Sequence, residues 1–419
     1  MHYRIAPNLN HRLLFYSLSL AYICTGIISV LPGASLLLLA ENTHVPLDIA
    51  GSSFTALALG FAIGVLIAGV LTTKLNSKYI LLAGLGLMSV ADIITPLTHS
   101  FSILLVAQFI KGIGFGLIDV SINTIVTLAF HDTLGETLNN VHSSFGIGAL
   151  VGPLLLSLSL MVLNEAFWAY LVGAIVGIVA MFLLLRQAVP SLPTQNKNRQ
   201  QQNPPFSHAV FRQVLLWLMA LQIALYVGAE IGFGNWIVTA VSQSAAITLS
   251  LAAPAATAFF LGLTIGRLLG AQVLKRGLLS ENQLLYLCIL GGCITGLLVA
   301  AFPGQIVVSF GASALVGLFY GPLFPGIMAI ASRKFVHALG IVSSVMLVST
   351  GASAMVLPAL MGVLISYIGI NWVLVIPALC CLLIIVPFAL AIWQQRHTLH
   401  LQNDRHTMKE EMPISTKAQ

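Results

Sequence analysis

The sequence predicts an all-α membrane protein of twelve transmembrane helices in two six-helix, pseudo-symmetric halves. Three observations carry that prediction. The composition is too apolar for a surface in water, twelve apolar runs are each long enough to cross a bilayer, and a repeat relates the first six runs to the last six.

Of the 419 residues, 58% are hydrophobic and 7% are charged, with a mean hydropathy of +0.98. A soluble domain carries roughly 25% charged residues, so the solvent of this chain must be lipid. The net charge of +6 would hint at nucleic acid in a soluble protein; here its distribution matters more. No nucleic-acid partner is expected.

A helix needs ~20 apolar residues to span a bilayer. The predicted spans are 13–40, 48–72, 79–98, 102–129, 139–162, 166–186, 212–241, 250–274, 282–302, 306–331, 339–367 and 371–393. Each must be helical, because an isolated strand would leave its backbone groups unsatisfied in lipid. The first run exceeds a signal-peptide core and no A-x-A-like cleavage site follows it, so a retained helix is expected. Cys24, Cys288, Cys293, Cys380 and Cys381 all fall inside apolar runs, where they read as small hydrophobes rather than a disulfide framework or a metal site.

Of the eighteen Lys and Arg, sixteen fall at the termini or in and beside even-numbered loops. The opposite loops and their edges carry Glu41, Asp48 and Glu165 instead. The positive-inside rule then puts both termini in the cytoplasm and requires an even span count. The expected location is the cell's inner (plasma) membrane.

The predicted organisation is a bundle over 1–186, a flexible cytoplasmic linker over 187–210, a second bundle over 211–393 and a polar tail over 394–419. The repeat supports it. Leu59, Gly60, Ile63, Gly64 and Leu66 recur 202 residues on as Leu261, Gly262, Ile265, Gly266 and Leu268. Gly112 and Gly116 recur 205 residues on as Gly317 and Gly321, as do Ser144, Gly146, Ala149 and Pro153 as Ser349, Gly351, Ala354 and Pro358. Two repeated halves around a midplane site is a transporter plan. No P-loop, HExxH or GxSxG pattern is present, which argues against a self-contained ATP-driven pump and against an enzyme.

Several segments resemble the major facilitator superfamily, and the resemblance covers essentially the whole chain. The superfamily pattern G-x-x-x-D-R/K-x-G-R/K is partly met over Gly69 to Lys78, with Thr73 in place of the acid and Asn76 in place of the second glycine. A span 4 motif survives as Gln108 to Gly112 without its arginine, and a span 5 motif as Gly148, Gly152 and Pro153. Three stretches, Gly112 to Asn123, Asn139 to Gly148 and Tyr226 to Trp236, resemble the fucose permease and sodium-dependent glucose transporter branch. That resemblance implies a hexose substrate taken up with H⁺ or Na⁺, and a coupling role for the carboxylate of Asp119.

An intramembrane charge costs at least ~2.5–3.5 kcal/mol on insertion scales, so each is a functional candidate. There are five: Asp92, Lys111, Asp119, Glu230 and Arg267. Asn123 lies four residues beyond Asp119 on the same helical face. Together they offer hard oxygen ligands to Na⁺; alternatively Asp119 carries a proton, or forms a structural pair. Glu230 lies among Gly228, Gly232 and Gly234, which permit a bend or break, and with Asn235 and Trp236 it offers a carboxylate, an amide and an aromatic platform for a sugar. Its alternative is a gate or packing pair with Lys111. Lys111 reads as structural, neutralising Glu230 or Asp92 or snorkelling outward. Arg267 reads as a latch between helices, Asp92 as an interfacial or paired acid, and His142 as a packing histidine that could protonate. Gln108, Gln222, Asn140 and Tyr320 could meet a substrate hydroxyl or another helix.

The sequence therefore predicts a cation-coupled hexose symporter, with Na⁺ preferred over H⁺ and glucose as the type substrate, working as a monomer by alternating access. Its expected partners are a sugar, the coupling cation and the bilayer, with no cofactor. A proton-coupled exporter of drugs or metabolites and a non-transporting sugar sensor are the alternatives.

Overall fold

The computed structural model describes residues 10–130, 133–187, 189–190, 210–335 and 338–394. Most of the predicted linker and the tail beyond Gln394 lie outside the described residues. Among the described residues twelve helices are long and apolar enough to cross a membrane: α1 (His11–Ala34), α2 (Leu47–Leu71), α3 (Ser77–Leu97), α4 (Phe101–Ala129), α5 (Glu136–Leu163), α6 (Phe167–Leu185), α7 (Val214–Ser244), α8 (Leu249–Lys275), α9 (Glu281–Ala301), α10 (Ile306–Lys334), α11 (Ser344–Ile368) and α12 (Ile370–Gln394). The side where α1 begins and α6 ends is called the terminal face below, and the other the opposite face.

The helix ends are set by ordinary chemistry. Asn10 and Asn76 cap α1 and α3 by accepting the amides of Leu13 and Lys78, and Ser280 opens α9 with a full capping box to Gln283. Lys78 Nζ donates to the carbonyls of Leu185 and Gln187 at 2.8 and 2.7 Å. It satisfies the end of α6, where a cation is favoured by the helix dipole. On the same face, Arg333 at the end of α10 pairs with Glu281 at the start of α9.

Within the first half α2 packs on α4, α1 on α5, α3 on α4 and α6, and α6 on α1. In the second half the same pairs recur as α8 on α10, α7 on α11, α9 on α10 and α12, and α12 on α7. Between the halves α1 meets α7, α2 meets α11 and α5 meets α8. Glycines make the tightest of these contacts. A Cβ on Gly60 or Gly64 would run into the carbonyls of Phe109 or Ile113 on α4, and one on Gly262 or Gly266 into those of Ala314 or Leu318 on α10. Helices approach this closely where small residues let their backbones meet.

One local expectation is corrected. The glycines of α7 do not break it: Val214–Ser244 is continuous. Gly228 and Gly232 instead make room for Ser353, Leu357 and Met361 of α11. Interruptions fall at Gly51 in α2, Ala253 in α8, Gly321–Pro322 in α10, and Val373–Leu374 and Ile384 in α12. The first two lie 202 residues apart, in the register of the repeat.

Candidate functional site

The two halves close on each other at the opposite face. Gly51 lies where a Cβ would sit 2.9 Å from the Trp236 ring and 3.2 Å from Gly362 Cα. Trp236 is fully buried there, its Nε1 donating to the Pro358 carbonyl at 3.0 Å, with Phe54 edge-on at 6.1 Å. Asn235 fills the seam beside Gly33. Ser157 donates to the Ser250 carbonyl at 2.6 Å and Thr257 to the Leu150 carbonyl at 3.1 Å. The α5–α8 contact continues to Gly146 and Thr264. Beyond it, toward the terminal face, Asn139, Asn140, His142 and Ser143 of α5 and Arg267 of α8 are exposed. A cleft between the halves thus opens on the terminal face and ends in the closed seam.

Its floor carries a polar cluster from each half. In the first half, Tyr22 of α1 donates to Asp119 Oδ1 of α4 at 2.7 Å and lies 3.5 Å from His142 Nε2 of α5. That nitrogen is 3.0 Å from Asn123 Oδ1, while Asn123 Nδ2 donates to the Asp119 carbonyl at 2.8 Å. With the amide group so oriented, His142 donates to Asn123 from Nε2 and leaves Nδ1 with a lone pair. Tyr22 is buried, and Asp119 and Asn123 are half-buried. In the second half, Arg267 Nη2 stands 3.6 Å from Glu230 Oε1, with the side chains 42% and 18% exposed. The buried Tyr226 hydroxyl has no hydrogen bond of ordinary geometry, although Glu230 and Arg267 lie within its electrostatic reach. Arg267 also lies within electrostatic range of His142, so the two clusters face each other across α5 and α8.

Deeper than the first cluster, toward the closed seam, runs an aromatic band that the sequence reading missed. Phe61 of α2 lies 4.9 Å from Phe115 of α4, which stacks nearly parallel on Phe145 of α5 at 5.9 Å and 13°. All three rings are half-buried. Phe115 is one turn from Asp119 and Phe145 one turn from His142, and those i−4 and i+3 spacings were the available signal. Tyr226 could have been found the same way, four residues before Glu230.

The other candidates lie elsewhere. Lys111 and Asp92 form a fully buried pair at 2.7 Å, sealed between α3 and α4, with the Tyr170 ring 5.3 Å from the ammonium. Lys111 therefore neutralises Asp92 rather than Glu230, and Asp92 is interior rather than interfacial. Gln108, one turn before Lys111, is buried with neither amide atom bonded. Tyr320 is buried and donates to the Pro377 carbonyl at 3.2 Å, one layer behind the cleft and edge-on to Tyr226. Trp236 offers no free ring face in this conformation, because it is spent on closing the seam. Asn140 lines a pocket of about 360 Å³ at the terminal face with His11, Arg12 and Glu136. Gln222 borders a small cavity with Asn282 and Ile327. Among the described residues no group of three His, Cys, Asp or Glu is placed to hold a metal ion.

Two bundles of matched topology around a polar, one-sided cleft define a membrane carrier rather than an enzyme. The chain matches the Major Facilitator Superfamily over residues 18–346 and 242–416, and it belongs to that family. It is 24% identical over 359 residues to sodium-dependent glucose transporter 1 of Xenopus laevis, covering 79% of this chain and 72% of that protein. It is 25% identical over 310 residues to the glucose/mannose transporter GlcP of Bacillus subtilis, covering 72% and 76%. Among solved structures, a bacterial homologue of the human lysosomal transporter Spinster, inward-facing and occupied, matches with a TM-score of 0.72 at 13% identity, covering 90% of this chain and 96% of that one. The transporter FucP in its outward conformation matches with a TM-score of 0.60 at 20% identity, covering 90% and 98%.

Proposed function

We propose that the protein is a cation-coupled hexose symporter of the plasma membrane, with its terminal face in the cytoplasm and Asp119 as the coupling carboxylate. The observation that carries the reading is the Asp119 cluster itself, a half-buried acid held by Tyr22 at the floor of a cleft that faces a second charged cluster across the halves. The names of the similar glucose transporters support the substrate, and the crowding of Lys and Arg on the terminal face supports the orientation.

The cation's part in the coupling follows from charge. Asp119, Glu230 and Arg267 sum to −1 with His142 neutral, and one bound monovalent cation brings the cleft to zero. A neutral sugar leaves that sum unchanged. Moving a neutral centre past apolar walls costs far less than moving a bare charge, so the cation eases reorientation, and symport follows when the sugar-loaded form closes more readily than the cation-only form. Hexose hydroxyls find donors and acceptors on Arg267, Glu230 and the free Nδ1 of His142. The C–H face of the ring finds Phe145 and Phe115, a mixture of apolar wall and few polar groups common in small-molecule sites.

The preferred coupling ion by sequence is Na⁺, held by Asp119 and Asn123, and four similar proteins are called sodium-dependent. A proton is favoured by one observation: the Asn123 amide oxygen is committed to His142, which leaves the carboxylate of Asp119 with one fewer oxygen neighbour to offer a hard cation. Labelled glucose uptake into proteoliposomes under an inward Na⁺ gradient, compared with an inward proton gradient, separates the two. Asp119→Asn is expected to abolish accumulation under whichever gradient works while sparing glucose exchange. Undiminished accumulation by that variant would remove Asp119 from coupling, and no glucose uptake under either gradient would sink the hexose reading.

A further inference from the structure

Among the described residues Arg267 is the one permanent cation facing the cleft, and it stands beside an acid without a hydrogen bond to it. The 3.6 Å separation from Glu230 is short enough for strong attraction but too long for a hydrogen bond. Its side chain is 42% exposed, so part of it remains open to a ligand. A free guanidinium fork matches carboxylates and phosphates in bidentate fashion. Standing alone in this cleft, Arg267 would be an anion receptor.

Glu230 prevents that. Any anion docking on the exposed side of Arg267 would come to rest close to the Glu230 carboxylate, and like charges so placed repel. The other charged and titratable groups do not alter this balance. Asp92 and Lys111 neutralise each other inside the first half. Asp119 is balanced by the coupling cation, Tyr22 and Tyr226 are buried neutral phenols, and His142 faces Arg267 from α5.

We infer that Glu230 is a specificity-determining residue: by facing Arg267 without capping it, Glu230 makes the cleft select an uncharged polyhydroxyl ring over the same ring bearing a carboxylate. The guanidinium then serves as a hydrogen-bond donor to hydroxyls, with its charge already countered. Selectivity arises from an element that repels the competitor as well as from contacts to the preferred ligand. The inference rests on the hexose reading above and goes beyond it in assigning which hexose derivatives are refused.

The test compares binding of D-glucose and D-glucuronate to the purified full-length protein by calorimetry, at saturating coupling cation. Wild type is expected to favour glucose by about tenfold or more, the scale of one unopposed charge in a partly exposed site. Glu230→Gln is expected to shift the ratio toward glucuronate by about tenfold or more, through tighter glucuronate binding. The charge-balanced double variant E230Q/R267Q is expected to return toward the wild-type ratio. A ratio in E230Q within about threefold of wild type would overturn the charge filter and leave the hexose reading standing. Wild type binding neither sugar would instead overturn the hexose reading, and the filter with it. Should E230Q fail to fold, wild type alone decides, since glucuronate binding as tight as glucose contradicts the filter.

Discussion

The two halves of the molecule share their packing but not their chemistry. Gly112 fits against the backbone of Leu57 and Phe61 on α2, and Gly317 fits against Phe259 and Leu263 on α8; every partner is displaced by the register of the repeat. Gly116 and Gly321 repeat the pattern one turn on, against Phe61 and Val65 and against Leu263 and Arg267. The charged residues have no such counterparts. In the same register Asp119 corresponds to Phe324, His142 to Leu347 and Lys111 to Val316, while Glu230 corresponds to Ile28 and Arg267 to Val65. A helix pair can be copied because two backbones meet the same way twice. A coupling site is needed once, and each half supplies a different part of it.

The glycine seams give the most severe way to break this equivalence. Gly112→Val and Gly317→Val each drive a side chain into the facing backbone, which cannot yield as a flexible side chain would. Overpacking a core typically costs about 1–3 kcal/mol, occasionally more, when side chains can shift, so a backbone clash is expected at or above the top of that range. Both variants are expected to lose the monodisperse peak in size-exclusion chromatography, to similar degrees. If Gly317→Val alone kept a wild-type profile, the repeat would be one of sequence and not of packing.

The buried ion pair sharpens the comparison at the next level. Asp92 and Lys111 cross from α3 to α4, whereas α10 carries the buried apolar Val316 at the position of Lys111. Breaking a buried pair leaves an uncompensated charge and costs about 3–5 kcal/mol, while replacing both members by apolar residues is often neutral. Lys111→Met is expected to lower the melting temperature in detergent strongly, and Lys111→Met with Asp92→Leu to recover most of the loss. A double variant no more stable than Lys111→Met would mean that the pair does more than neutralise itself.

Most of the fold was legible in the sequence, because lipid leaves a chain few options. Hydropathy placed the twelve spans to within a few residues, and the glycine repeat announced the paired seams. The site was less legible, because it depends on helix rotation and on which helices meet. Glu230 and Trp236 are neighbours in sequence, but six residues turn a helix by about 240° and advance it by about 9 Å. Trp236 therefore reaches the closed seam and not the face of Glu230. The choice of Asp92 as the partner of Lys111 needed the α3–α4 contact, which no local pattern announces. The Tyr22–Asp119 bond joins residues 97 apart and was invisible for the same reason.

The aromatic residues distinguish the halves at the smallest scale, since one half offers ring faces to the cleft and the other has buried its indole. Phe145 stacks on Phe115 one turn from His142, and stacked rings present a flat apolar wall with a polarised face. Trp236 contributes its N–H to the Pro358 carbonyl and its ring to the approach of Gly51 and Gly362. Phe145→Ala is therefore expected to weaken glucose binding by about tenfold, near the upper end of what a single aromatic contact contributes, with Phe145→Tyr close to wild type. Trp236→Phe keeps an aromatic ring but loses the hydrogen bond that braces the seam. Its expected effect is a change in opposite-face accessibility, read by labelling a cysteine placed at Ser366, with glucose affinity altered by less than about threefold, as befits loss of one hydrogen bond outside the ligand's reach. The reverse pattern, in which Phe145→Ala binds normally and Trp236→Phe does not, would move the sugar into the second half and make the closed seam part of the binding site.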